Sequence, residues 1–117
     1  MSSKYDKIKL GVEYIMIKFA LCPRYEIAFE LLGKKWTGLI IRSLLDGPKR
    51  FSALSEIIPH MSAKVLADRF KELERLGIIV RNVYPETPVR IEYCLTEKGK
   101  ALQPALDEIQ KWAEKWV

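Results

Sequence analysis

The centre of the sequence contains two short amphipathic segments separated by a tight turn, and this spacing constrains the fold more than any other feature. Residues 52–58 form the first predicted helix, with Ser52 as its N-cap. The turn Pro-His-Met follows, and Ser62 caps a second predicted helix that extends to about Leu76. Two helices joined by a turn of about four residues have the spacing of a helix-turn-helix motif.

The residues after this motif alternate between apolar and polar side chains, as β-strands do. Residues 78–84 and 89–95 alternate in this way, with a turn between them that contains two prolines. They predict a β-hairpin, or wing, directly after the second helix. Thr96 then caps a last helix over residues 97–117, which Pro104 divides into a short first turn and a long second piece.

Further helices are predicted upstream of the motif. Residues 1–21 repeat apolar side chains at helical spacing and predict an N-terminal extension helix, with a partly ordered tail as the alternative. Pro23 opens the next helix, and residues 36–45 predict a buried central one. The predicted fold is mainly α with a small β-hairpin wing: a winged helix-turn-helix in a single domain of residues 1–117, dimerised by terminal helices.

Composition favours a folded intracellular protein with a polyanionic partner. Hydrophobic residues make up 49% of the chain, so a folded domain is expected rather than disorder, and the net charge of +5 weakly favours an acidic partner. Two cysteines do not form a disulfide framework, so reduced thiols are expected. We expect no signal peptide, and no apolar run approaches the ~20 residues that span a bilayer. The sequence therefore predicts a cytoplasmic protein without a membrane partner.

The second helix of the motif carries cations opposite its apolar stripe. At about 100° per residue, Lys64, Lys71 and Arg75 fall within one narrow outward sector, which we call the basic ridge. A recognition helix enters the major groove with its N-terminal end first. The residues predicted to reach base edges and nearby phosphates are Ser62, Ala63, Lys64 and Ala67. Lys71 is assigned to the DNA backbone, and the alternative for the whole ridge is a solvated charged face.

Four other cations have predicted roles. Lys49 and Arg50 precede the first helix of the motif and are expected to meet phosphate. Arg90 follows the hairpin turn and is expected in the minor groove, with an exposed strand-end charge as the alternative. Arg69 projects near the apolar stripe, so its head should pair with a carboxylate or a backbone carbonyl.

The C-terminal helix has an apolar stripe that predicts a homodimer. Its members recur in steps of three and four: Leu102, Leu106, Ile109, Trp112, Ala113 and Trp116. Leu102, Ile109 and Trp116 are spaced by seven, like one seam of a helix pair. Two-fold symmetry would place the recognition helices ~34 Å apart on a pseudo-palindromic site. The alternative is that the stripe packs only on its own subunit.

The sequence contains no residue pattern that indicates a catalytic site or a metal site. The only histidine, His60, lies in the turn of the motif, and no phosphate loop or nucleophile motif is present. His60, Cys22 and Cys94 lack metal-ligand spacing, so we predict a non-enzyme with no metal and no cofactor. A winged helix that binds only proteins is a further alternative, but such modules usually expose apolar or acidic residues where this chain exposes the basic ridge.

Cys22 is the predicted redox-sensing residue. With Pro23 at the first helical position, Cys22 becomes the N-cap, beside unpaired N–H groups and the positive end of the helix dipole. These favour the nucleophilic thiolate, and Arg24 acts in the same direction. Cys94 lies beside Glu92, whose charge opposes ionisation. The alternative is that Cys22 is an inert apolar thiol.

Three stretches resemble a known family: CPRYEIAFELLGKKW, LLGKKWTGLIIRSLLDGPKRFSAL and MSAKVLADRFKELERLGIIVRNVYPETPVRIEYCLTEKGKAL. Together with the C-terminus they resemble the HxlR-type winged-helix regulators, relatives of the MarR superfamily, over residues 22–117. Within that family the chain is similar to repressors that sense quinones and other thiol-reactive electrophiles.

The resemblance implies a homodimeric repressor that binds double-stranded DNA, a wing that touches DNA, and a reactive cysteine in the Cys22-Pro23 pair. A regulator with a non-thiol small-molecule effector is the alternative. Some redox-sensing members have a further cysteine near the C-terminus, whereas this chain has none after Cys94. Alkylation or a mixed disulfide at Cys22 is therefore favoured over an intersubunit disulfide.

Overall fold

A computed structural model describes residues 22–117, so the predicted extension helix at residues 1–21 lies outside the described residues. The chain divides into two compact units, residues 1–34 and 35–117. Of the first unit, the structure describes helix α1, Pro23–Leu32, which has Cys22 as its N-cap and Gly33 as its C-cap. The start of this helix agrees with the prediction.

The second unit has the predicted order of elements. They are α2 (Thr37–Leu44), α3 (Phe51–Ile57), α4 (Ala63–Arg75), β1 (Ile79–Tyr84), β2 (Arg90–Leu95), α5 (Glu97–Lys100) and α6 (Gln103–Trp116). Helices α3 and α4 form the helix-turn-helix, and β1 and β2 form the wing, which confirms the winged helix-turn-helix. Pro104 lies in the first turn of α6, so the predicted division of the last helix is confirmed. No helix within residues 22–117 is long and apolar enough to cross a membrane.

The core of this unit forms where α2, α3, α4 and the hairpin meet. Its fully buried side chains include Ile40, Ile41, Leu54, Leu66 and Leu73. Helix α2 is less central than predicted, because Leu39 on its outer side remains exposed.

An aromatic cluster joins the helix-turn-helix to the hairpin. The ring of Phe70 on α4 lies 4.2 Å from that of Tyr93 on β2 and 5.7 Å from that of Phe51, measured between centroids. Tilted and edge-on rings at these separations attract each other beyond the area that they bury. The cluster thus fixes α4 against the wing.

The hairpin makes one further backbone pairing, an isolated β-bridge that the sequence did not predict. β1 and β2 pair antiparallel, with Ile79 opposite Leu95 and Tyr84 opposite Arg90. On the other edge of β2, Lys49 exchanges two backbone hydrogen bonds with Tyr93, at N···O distances of 3.0 and 2.8 Å. β2 is therefore paired on both edges, with β1 along its length and with Lys49 at a single residue.

This extra pairing explains one wrong boundary. Ser52 was expected to cap α3, but α3 begins at Phe51, and Arg50 is the N-cap without a side-chain cap bond. Because the backbone of Lys49 is paired with Tyr93, the chain remains extended through Arg50 and becomes helical directly afterwards. The predicted caps of α4 and α5 are confirmed: Ser62 accepts from the Val65 amide at 3.1 Å, and Thr96 accepts from the Gly99 amide at 3.2 Å.

Candidate nucleic-acid interface

The N-terminal end of α4 is open and sterically small. Ser62, Ala63 and Lys64 are exposed, and Ala67 one turn later is half-buried. The Ser62 hydroxyl satisfies one amide of the first turn, and the others lie at the positive end of the helix dipole. Small side chains and free N–H groups at one exposed helix end permit a close approach by an anionic surface.

The basic ridge lies on the exposed side of α4, opposite buried Leu66 and Phe70. Lys71 and Arg75 are exposed and form no ion pair within residues 22–117. Lys64 is exposed as well, but its ammonium lies 3.1 Å from the carboxylate of Asp68. An exposed pair of this kind is worth at most about 1 kcal/mol, so Lys64 remains available to a polyanion.

The Lys64–Asp68 pair was missed by the sequence reasoning, although its signal was present. The two residues are four apart on a helix, the spacing at which side chains of opposite charge meet. The pair makes the N-terminal end of the ridge less positive than the part that carries Lys71 and Arg75.

Arg69 has the predicted structural role. Its Nε donates to the backbone carbonyl of Lys35 at 3.0 Å, just before α2 begins. The bond fixes the middle of α4 to the start of α2 and removes Arg69 from the set of cations open to a ligand.

Arg90, the predicted wing cation, is held by the hairpin itself. Its guanidinium lies 2.9 Å from both Glu86 and Glu92 and stacks 3.9 Å above the centroid of the Tyr84 ring. These hydrogen bonds raise the pKa of Arg90 further, and the bond from Arg90 lowers the pKa of Glu86. The outer face of the wing therefore carries a closed ionic cluster of Tyr84, Glu86, Arg90 and Glu92.

The two cations before α3 differ in their surroundings. Lys49 is half-buried, and its ammonium lies 3.4 Å from the carbonyl of Gly47. Arg50 is exposed, and its charge also lowers the pKa of Glu86. Arg50 and Arg90 therefore both act on the Glu86 carboxylate, although they lie about 40 residues apart in the sequence.

The apolar stripe of α6 has a half-buried part and an exposed part. Leu102, Leu106 and Ala113 are half-buried, and α6 packs against α2. Ile109, Trp112 and Trp116 are 55%, 59% and 66% exposed. Three large apolar side chains on one helix form a patch of the kind that soluble proteins usually cover.

Both cysteines are free and half-buried. Cys22 occupies the N-cap of α1, as predicted, but its side chain makes no cap hydrogen bond. Cys94 lies on the outer face of β2, where its sulfur accepts from the Asn82 amide at 3.5 Å. No group of histidine, cysteine and acidic side chains within residues 22–117 has the arrangement of a metal site.

The helix-turn-helix, its exposed basic ridge and the adjoining wing define the class of winged-helix transcription regulators. The profile of the family described as HxlR-like helix-turn-helix matches residues 31–117. The chain belongs to this HxlR family, which consists of transcription regulators and not of enzymes. Membership of the family implies DNA binding.

Individual relatives agree with this assignment. The HTH-type transcriptional regulator YvaP of Bacillus subtilis (strain 168) is 54% identical over 97 residues, which are 83% of this chain and 90% of YvaP. The solved reduced form of the B. subtilis regulator YodB is 56% identical, with a TM-score of 0.76 over 83% of this chain and 95% of YodB. The quinone-bound form of YodB is 51% identical, with a TM-score of 0.73 over 82% of this chain and 100% of that one.

Proposed function

We propose that the protein is a cytoplasmic, homodimeric repressor that binds a pseudo-palindromic duplex and releases it when Cys22 reacts with a thiol-reactive electrophile or oxidant. The observation that carries DNA binding is the basic ridge: α4 exposes cations on the side opposite its buried stripe. A module that binds only proteins would instead expose apolar or acidic residues there. The remaining parts of the proposal follow from the wing, α6 and Cys22.

Docking of α4 in the major groove assigns a role to each exposed residue. The open N-terminal end, with Ser62, Ala63, Lys64 and Ala67, reads base edges and nearby phosphates. Lys71, Arg75, Arg50 and the less accessible Lys49 contact the backbone. Arg90 contacts DNA only after its ion pairs with Glu86 and Glu92 break. Its contribution to the DNA affinity is therefore smaller than that of an unpaired wing arginine.

The dimer forms through the exposed part of the α6 stripe. Ile109, Trp112 and Trp116 cover their counterparts in a second copy around a two-fold axis. Such a dimer places two recognition helices ~34 Å apart, one turn of DNA.

Release follows from chemistry at Cys22. Its thiolate adds to an electrophilic ring carbon of a quinone; a C–S bond forms, and the ring takes up the electron pair and a proton. The N-cap position favours the thiolate, and the similar YodB has been solved with a quinone bound. Where α1 contributes to the dimer interface, the adduct rotates the subunits and misplaces the recognition helices.

The decisive experiment titrates a quinone and, separately, a disulfide reagent against DNA binding. Wild type and Cys94→Ser are expected to release DNA at the same dose, whereas Cys22→Ser remains bound. Release of Cys22→Ser at the wild-type dose would exclude Cys22 as the switch and favour a non-thiol effector. A gel shift with random duplex DNA at increasing salt tests DNA binding itself, because counterion release makes affinity fall steeply with salt.

A further inference from the structure

The C-terminal end of α4 is tied to the segment that leads into α6. The last carbonyls of a helix usually lack partners within the chain. Here the ammonium of Lys98 donates to the carbonyl of Leu76 at 2.7 Å, and the hydroxyl of Thr96 donates to that of Gly77 at 2.6 Å. The amide of Thr96 donates to the carbonyl of Ile78 at 3.0 Å.

Gly99 allows the two segments to come this close. It is buried, and a side chain at this position would collide with the carbonyl of Ile78 and press on the side chain of Leu95. Lys98 also places a positive charge at the negative end of the α4 dipole. We call Thr96, Lys98 and Gly99 the C-terminal clasp.

The clasp continues into α6 without a loose linker. The amide of Leu102 donates to the carbonyl of Gly99 at 3.1 Å, and the amide of Leu106 donates to that of Leu102 at 3.0 Å. Helix α6 then carries Trp112 and Trp116, whose exposed rings form the proposed dimer surface. A continuous path of hydrogen bonds therefore joins that surface to the recognition helix.

We propose that Thr96 and Lys98 are positioning residues for DNA binding: they fix the direction of α4 relative to α6, and so the angle between the two recognition helices of a dimer. The inference rests on the proposed function. At 1.5 Å per residue, the base-reading end of α4 lies about 20 Å from the clasp, so a swing of about 10° displaces it by about 3.5 Å. That displacement exceeds what a hydrogen bond to a base edge tolerates.

The test compares Lys98→Met with Lys100→Met. Lys100 has the same charge, lies two residues away, is exposed and pairs only weakly, at 3.8 Å, with Glu97. The probe is a duplex that the wild-type protein selects from random sequences. Lys98→Met is expected to bind it about tenfold more weakly or worse, and Lys100→Met within about twofold of wild type. Binding to random duplex falls alike in both variants, because each loses one charge.

A second measurement separates positioning from a general loss of structure. One base pair is inserted at the centre of the selected duplex, which changes the spacing and rotation of its half-sites. Wild type is expected to lose much affinity when the base pair is inserted. Lys98→Met is expected to lose less affinity, because its α4 is less constrained. Lys98→Arg is expected to lose as much as wild type, because arginine keeps a donor for the Leu76 carbonyl. The solution mass of Lys98→Met is expected to equal that of wild type.

Two results would overturn the reasoning at different points. Equal losses on the selected duplex in Lys98→Met and Lys100→Met, or equal insertion penalties in Lys98→Met and wild type, would refute the clasp alone. A wild-type protein that selects no duplex would refute the proposed function as well.

Discussion

Replacement of Trp112 by alanine tests the proposed dimer quantitatively. A tryptophan side chain contributes up to about 250 Å² of surface, and Trp112 is 59% exposed, so about 150 Å² remains for a partner to cover. At about 25 cal/mol per Å², full coverage is worth about 3.7 kcal/mol per subunit. Since a two-fold interface contains the residue twice, Trp112→Ala should weaken the dimer by up to about 7 kcal/mol.

The assay is the mass in solution across a dilution series from micromolar to nanomolar concentration. Even half of that upper value raises the dissociation constant more than a hundredfold, so the variant should be monomeric where wild type is dimeric. Ile57→Ala is the matched control, because Ile57 is exposed but lies on α3, away from the α6 stripe. A wild-type monomer at micromolar concentration, or an unchanged mass for Trp112→Ala, would show that the stripe does not form the dimer.

Three further predictions follow from the ridge, the wing and the clasp. Lys71→Ala should weaken binding to all duplexes alike and reduce the salt slope by about one, as gel shifts at several salt concentrations will show; a loss confined to one sequence contradicts a phosphate contact. Arg90→Ala should return the pKa of Glu86 to its ordinary range, measurable by NMR titration. Because Arg90 lowers that pKa, the stabilisation by the pair is present above the ordinary carboxyl pKa and is lost as pH falls through the lowered one; an unchanged Glu86 titration contradicts this. Gly99→Ala should lower the melting temperature, whereas Gly38→Ala, where a methyl group meets open space within a helix, should stabilise by up to about 1 kcal/mol; equal shifts refute the close approach.

The elements that the sequence predicted correctly depend on neighbours along the chain. Ser62 and Thr96 cap their helices through bonds to amides three residues away, so their roles are visible in a local pattern. The hairpin follows from alternation on both sides of a proline-containing turn. The Lys64–Asp68 pair was equally local and was overlooked.

The features that the sequence did not reveal depend on distant partners. The pairing of Lys49 with Tyr93 joins residues from either side of the helix-turn-helix, and no local pattern marks Lys49 as a partner of β2. The stacking of Arg90 on the Tyr84 ring depends on the hairpin register, which places the two residues opposite each other. Glu92, by contrast, lies two residues along the same strand as Arg90. Side-chain partners across a sheet become predictable only when that register is known.

The pairing of Lys49 with Tyr93 has a consequence for how the domain folds. It encloses the whole helix-turn-helix in a loop of about 44 residues, and closing a loop of that size opposes folding by roughly 3 kcal/mol. Contacts of such long range form slowly, so this pairing should appear together with the docking of the hairpin rather than with the local helices. The helix-turn-helix is consequently not expected to fold as an isolated peptide. Without the hairpin it loses the backbone pairing that sets where α3 begins, and it loses the ring of Tyr93 against which α4 packs.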